Sequence, residues 1–134
     1  MRYAIVYLSS ASDELEIAEI SKILSFTEES NNNHDITGLL LFSDGNFFQI
    51  IEGEKNSILK LFETIKRDDR HRNIQQIFGE EINKGAYDLY ATNFISDEVK
   101  YDTDQFEHYL NQTSVLGKNA QKAVENILRV FIKV

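Results

Sequence analysis

Two runs rich in aliphatic and aromatic residues, Ile36–Phe42 and Asn46–Glu52, flank the dipeptide Asp44-Gly45. Asp-Gly tolerates two successive positive φ angles, which a two-residue loop needs when it joins strands of right-handed twist. This chain is therefore expected to contain at least one β-hairpin, and the remaining elements must be arranged around it. Upstream, residues 2–8 (RYAIVYL) read as a first strand. Ser10 and Ser12 offer N-caps for a helix over about Asp13–Glu29, with Leu15, Ala18, Ile23 and Phe26 as apolar positions. The polar cluster Ser30–Asp35 ends that helix.

Downstream, Asn56 or Ser57 can cap a second helix reaching Lys66, with Leu59, Phe62 and Ile65 along one side. The charged run Arg67–Arg72 leads to a strand over Ile74–Ile82, and Lys84-Gly85 turns into another over Tyr87–Phe94. The order βαββαββ combines a helical crossover with hairpins. It predicts an α+β, ferredoxin-like mixed sheet with two helices on one face. Two further helices are expected after residue 100. Asp102 with Gln105 resembles a capping box ahead of Phe106, Tyr109 and Leu110. The last segment spaces Leu116, Ala120, Ala123, Ile127, Phe131 and Val134 as a helical stripe that can cover the other sheet face. Val124, Leu128, Val130 and Ile132 fall outside that stripe, which points to a second buried surface and a homo-oligomer.

At 134 residues the chain is one domain's length, and no Pro-, Gly- or Ser-rich linker divides it. Twenty-two acidic against fourteen basic residues give a net charge of −8, which opposes binding to nucleic-acid phosphates. The absence of Cys excludes disulfides, thiolate nucleophiles and Cys-ligated metals, and no metal site is expected. No apolar run approaches the roughly 18 residues of a membrane span, and no signal-peptide layout is present, so a cytoplasmic location is expected.

Strand alternation puts Tyr3, Ile5 and Tyr7 on one face of the first strand and Phe47, Gln49 and Ile51 on one face of the third. Gln49 thus has apolar same-face neighbours. A buried amide left unpaired costs about 1–3 kcal/mol, so Gln49 is either a core residue satisfied by backbone or a contact to a polar ligand edge. Tyr7 is open to the same two readings, Asn31 can be a helix C-terminal residue, and His71 a loop histidine.

The residues Tyr7-Leu8-Ser9-Ser10-Ala11 resemble the Y-x-S-x-A opening of the BLUF family, blue-light sensors that use flavin. Asn31 followed by Ile36-Thr37-Gly38-Leu39-Leu40 is similar to that family's N…ITGLL segment. The run Gly45 to Gly53 resembles its G-x-F-x-Q-x-L-E-G signature, and Asp68 to His71 its D-x-R-H exit. The matches keep order and spacing over residues 3–94, and the ferredoxin-like fold is also the family's.

This resemblance implies a sensor module over residues 1–96 and a helical extension over 97–134. It implies a non-covalent flavin, FAD, with FMN or riboflavin as alternatives. By position, Tyr7 would be the photochemical electron and proton donor, with Gln49 standing between its phenol and the flavin. Asn31 would hold the pyrimidine edge, near Asp68, Arg70 and His71, while Ile23 and Ile65 sandwich the ring and Phe47 packs beside it. The implied function is photoreception rather than enzymatic catalysis. With only the extension after residue 96, the output is expected through contact with a downstream protein. A flavin-free interaction module and a small acylphosphatase-type hydrolase are the alternatives. Two departures stand out: Tyr90 and Thr92 replace the family's common Trp and Met, and Ser30 stands where Asn or His is frequent.

Overall fold

A computed structural model describes residues 1–13, 15–82, 90–95, 107 and 116–132. The elements are β1 (Arg2–Ala11), α1 (Ile17–Asn33), β2 (Thr37–Ser43), β3 (Asn46–Glu54), α2 (Lys55–Lys66), β4 (His71–Ile82), β5 (Tyr90–Ile95) and α3 (Lys118–Ile132). The expected Lys84-Gly85 turn, the capping box at Asp102 and Gln105, and the Phe106, Tyr109 and Leu110 positions of its helix lie outside the described residues. The sheet runs β4-β1-β3-β2-β5. β1 pairs antiparallel with β3 and β4, β2 antiparallel with β3, and β2 parallel with β5. This is the mixed, ferredoxin-like sheet expected.

Ser43 pairs with Asn46, leaving Asp44 (φ 50°) and Gly45 (φ 81°) as the two-residue loop. A second glycine is required inside β2. Gly38 has φ 145°, and a Cβ there would lie 2.0 Å from the Ile50 carbonyl oxygen.

Alternation divides the sheet into two cores. Ile5, Tyr7, Leu40, Phe47 and Ile51 pack with Ile20 and Leu24 of α1 and Ile58 and Phe62 of α2. Ala4, Val6, Leu39, Leu41, Phe48 and Ile50 pack on the opposite face with α3. Each fully buried aliphatic side chain contributes about 1.5–3 kcal/mol, so both layers help to hold the sheet between its helices.

Three expectations are corrected. β1 continues to Ala11, whose N–H donates to Gly45 O at 2.8 Å, so Ser10 and Ser12 do not cap α1; the helix begins after Glu16 with no side-chain cap. α2 is capped by Glu54, whose carboxylate accepts the Ser57 N–H at 3.0 Å, rather than by Asn56 or Ser57. The sheet is met by Ala120, Val124 and Leu128 of α3 together with Leu116 just before it, with Ala123 and Ile127 only half-buried beside them, and the side chains of Phe131 and Val134 lie outside the described residues. Two adjacent i,i+4 rows of this apolar helix competed for the sheet, and the row bearing Val124 and Leu128 took the centre.

Candidate functional site

β1, β3 and β2 are consecutive in the sheet, and their registers align three residues in one row: Tyr7 opposite Gln49, and Gln49 opposite Leu40. All three sit on the face covered by α1 and α2, where they form the floor of a cleft between those helices. The same row reaches Thr92 on β5, which pairs with Leu40, while Tyr90 pairs with Gly38.

The Tyr7 hydroxyl donates to Gln49 Oε1. Tyr7 is 0% and Gln49 3% exposed, so this bond is shielded from bulk water. Burial, with the Asp68 charge adding to it, pushes the Tyr7 phenol well above its ordinary 10, and the hydroxyl keeps its proton at any physiological pH. A core glutamine satisfied only by backbone does not fit this geometry: its carbonyl is committed to another side chain at the edge of a cavity.

The connection from α2 to β4 supplies a polar rim. Arg70 clamps Asp68 through Nε at 2.9 and 3.0 Å and through a terminal nitrogen at 2.5 Å, which holds the carboxylate below its usual range. His71 opens β4, and its Nδ1 lies 2.8 Å from Ser9 Oγ. Burial lowers the His71 pKa from 6.5, while Asp68 pulls it back up, so the ring is predominantly neutral at pH 7. β4 makes irregular pairings opposite β1 between Val6 and Tyr7 and between Leu8 and Ser10. The first irregularity falls just before Tyr7 and the second spans Ser9, a placement that re-aims strand residues beside functional sites.

From the other wall, α1 contributes Ile23 and Asn31, 8% and 5% exposed. The Asn31 carbonyl oxygen accepts from both His34 and Ile36 N–H, at 3.1 and 3.0 Å, which fixes the last turn of the helix. The left-handed residue there is Asp35, not Asn31. Asn31 Nδ2 is buried and has no hydrogen-bond partner among the described residues, a state that costs about 1–3 kcal/mol unless something in the cleft accepts from it. Ile65 of α2 lines the same cleft as Ile23. The cleft holds a cavity of about 240 Å³ and opens to solvent at its mouth.

Eight of the nine candidate residues therefore line one cleft: Tyr7, Ile23, Asn31, Gln49, Ile65, Asp68, Arg70 and His71. Phe47 does not. It is fully buried, its ring 4.7 Å from that of His71 and 5.0 Å from Phe42, and supports the rim from behind. The lining also includes Phe26, Thr27, Ser30, Leu40, Leu61 and Thr64, to which the sequence reading gave no site role. Helical spacing from Ile23 and Asn31 would have found Thr27 and Ser30. An isoalloxazine fits this set of groups: apolar walls for the ring, and an unpaired amide donor for a pyrimidine carbonyl.

A ferredoxin-like sheet whose two helices enclose an apolar cleft above a buried Tyr–Gln pair defines a cofactor-holding sensory module. Residues 3–93 match the BLUF family, sensors of blue-light using FAD, and the chain belongs to that family. Its input is blue light and its cofactor FAD. The flavin-free alternative has no support. The chain is 31% identical over 77 residues to the blue light- and temperature-regulated antirepressor BluF of Escherichia coli (strain K12), covering 58% of this chain and 19% of that protein. It is 34% identical over 86 residues to the photoactivated adenylate cyclase subunit alpha of Euglena gracilis, covering 62% and 8%. The matched segments are thus less than a fifth of those relatives' lengths. Among solved structures, BlsA in its photo-activated state superposes with TM-score 0.70 over 96% of this chain and 94% of that one, at 24% identity, a likeness of fold. Among the described residues no helix is long and apolar enough to cross a membrane.

Proposed function

We propose that this chain is a cytoplasmic blue-light receptor in which a hydrogen-bond switch between Tyr7 and Gln49 reports the excitation of a non-covalently held flavin. The single observation that carries it is the Tyr7 hydroxyl donating to Gln49 Oε1 at the floor of the cleft. Ile23 and Ile65 would flank the ring, Asn31 Nδ2 would donate to its pyrimidine edge, and Asp68, Arg70 and His71 would stand along the rim. Phe47 keeps a supporting part only. When bound, the flavin supplies a ring that absorbs blue light and, once excited, accepts an electron.

Tyr7 would be the donor of that electron. Its hydroxyl donates to Gln49 Oε1, which is placed to take the proton, and the closed floor keeps water from competing. Gln49 would then exchange its donor and acceptor ends, by rotation or tautomerisation. Once electron and proton were back on Tyr7, the changed amide orientation would remain. One exchanged hydrogen bond is worth on the order of 1 kcal/mol, so it can only bias an element already poised between two arrangements. Gln49 lies on β3, whose opposite face carries Phe48 and Ile50 under α3. In this reading residues 1–96 are the sensor and 97–134 the extension that carries the change to a downstream protein. The E. coli relative is by name an antirepressor and the Euglena relative a cyclase subunit, so similar sensors serve different outputs. Val124 and Leu128 are covered by the sheet, while Val130 is 75% exposed, and a homo-oligomer formed through that outer side of α3 stays part of this reading.

The test is an absorption spectrum of the purified protein before and after blue light. A reversible red shift of the flavin bands supports the reading; a flavin that stays unshifted contradicts it.

A further inference from the structure

α1 presents one row to the cleft, in which Ile23 and Asn31 are buried while Phe26, between them, is 67% exposed. Phe26 belongs to neither core cluster. It stands at the mouth, and it is the one residue shared by three adjoining hollows: the cleft, a second toward the start of α1, and a third toward its end. A flat aromatic face exposed at a cofactor's entrance can serve as a stacking surface.

FAD differs from riboflavin by a diphosphate and an adenosine, which must leave the cleft once the flavin ring is seated. We propose that Phe26 is the platform for the adenine ring of FAD, and that it lets this protein distinguish FAD from FMN and riboflavin. The inference rests on the flavin reading of the cleft given above. The hollow toward the start of α1 brings Lys22 and Arg70 beside Phe26, on the path of a diphosphate, although Glu19 in the same hollow offsets part of that charge. The hollow toward the end of α1 sets Asn33 and His34 beside the same ring. Their side chains offer hydrogen-bonding groups to a purine edge, and His34 Nδ1 is engaged with the Ser30 carbonyl oxygen at 2.6 Å. Stacking supplies the affinity because every base has a π-face, and the polar neighbours add preference for a purine.

The experiment titrates the full chain, freed of flavin, with FAD, FMN and riboflavin, following quenching of flavin fluorescence. The wild type should hold FAD more tightly than riboflavin. Phe26→Ala should weaken FAD about tenfold more than it weakens riboflavin. Phe26→Tyr should retain FAD affinity, and Phe26→Leu should behave like Phe26→Ala, because it keeps apolar area but loses the flat face. Phe26 is exposed, so these variants should fold. Equal losses for all three flavins would make Phe26 a cover for the isoalloxazine and overturn the inference. Unchanged FAD affinity in Phe26→Ala would overturn it too, and would leave the exposed ring to a protein partner. A wild type that takes up none of the three would contradict the flavin reading itself, before any variant is compared.

Discussion

Tyr7 and Gln49 are direct cross-strand partners on β1 and β3, and the phenol of one donates to the amide oxygen of the other in a site neither shares with bulk water. The pairing is fixed by the backbone ladder. Nothing short of a register slip separates the two residues, and a slip would turn both faces of β1 inside out.

Tyr7→Phe keeps the ring volume and removes the hydroxyl proton. The variant should purify yellow and show no red shift on illumination. It should also be less stable by about 1–3 kcal/mol, because Gln49 Oε1 loses its buried donor. Spectroscopy and urea unfolding check the two halves separately. A normal photocycle in this variant would move the donor role to another tyrosine, with Tyr90 the first to examine.

Gln49→Leu keeps approximate size and removes both ends of the amide. Flavin should be retained and the shift abolished, with a comparable loss of stability from the orphaned Tyr7 hydroxyl. A shift of wild-type amplitude would return Gln49 to a purely structural part in the core.

Leu128 is fully buried on the sheet and Val130, two residues on, is 75% exposed. Leu128→Ala should therefore cost about 2–5 kcal/mol, while Val130→Ala should stay within about 0.5 kcal/mol. Thermal or urea unfolding of both variants decides it. Equal effects would mean that α3 does not dock through this row.

His71 should titrate below 6.5, since its folded pKa is lowered by burial. The unfolded chain then binds the extra proton as pH falls, so this contribution to stability is present above pH 6.5 and lost as pH drops through the folded pKa. Asp68 opposes the lowering, so Asp68→Asn should move the His71 titration further down. Proton NMR of the imidazole reads both, and a value at or above 6.5 in the wild type would contradict the account.

The parts of this fold written in local chemistry were legible in the sequence. Asp44-Gly45 set the hairpin, and alternation gave Tyr7 and Gln49 their same-face neighbours within their own strands, while the register that brings the two together came from the pairing of β1 with β3. What was not legible depended on competition between distant segments. Ser10 and Ser12 look like caps, but β1 runs on because Ala11 and Ser12 find backbone partners in Gly45 and Arg70, on other elements. The bulges of β4 carry no residue signature beyond Asn73, whose φ of 52° is tolerated by its side chain. The row of α3 that meets the sheet could not be chosen from a helix apolar on several sides. Phe47 obeys the alternation that brought it to the right face, yet lies behind His71 rather than in the cleft, since a two-residue period fixes the side of a sheet and not the depth.

In the proposed switch, light changes the hydrogen bonding of the Gln49 amide and leaves the covalent structure as it was. A light-minus-dark infrared difference spectrum reads this change on protein with carbon-13 in the glutamine side-chain carbonyls. A carbonyl band should change with light, move with the isotope, and vanish in Gln49→Leu. A difference spectrum insensitive to the label, in a protein whose flavin bands still shift, would contradict it.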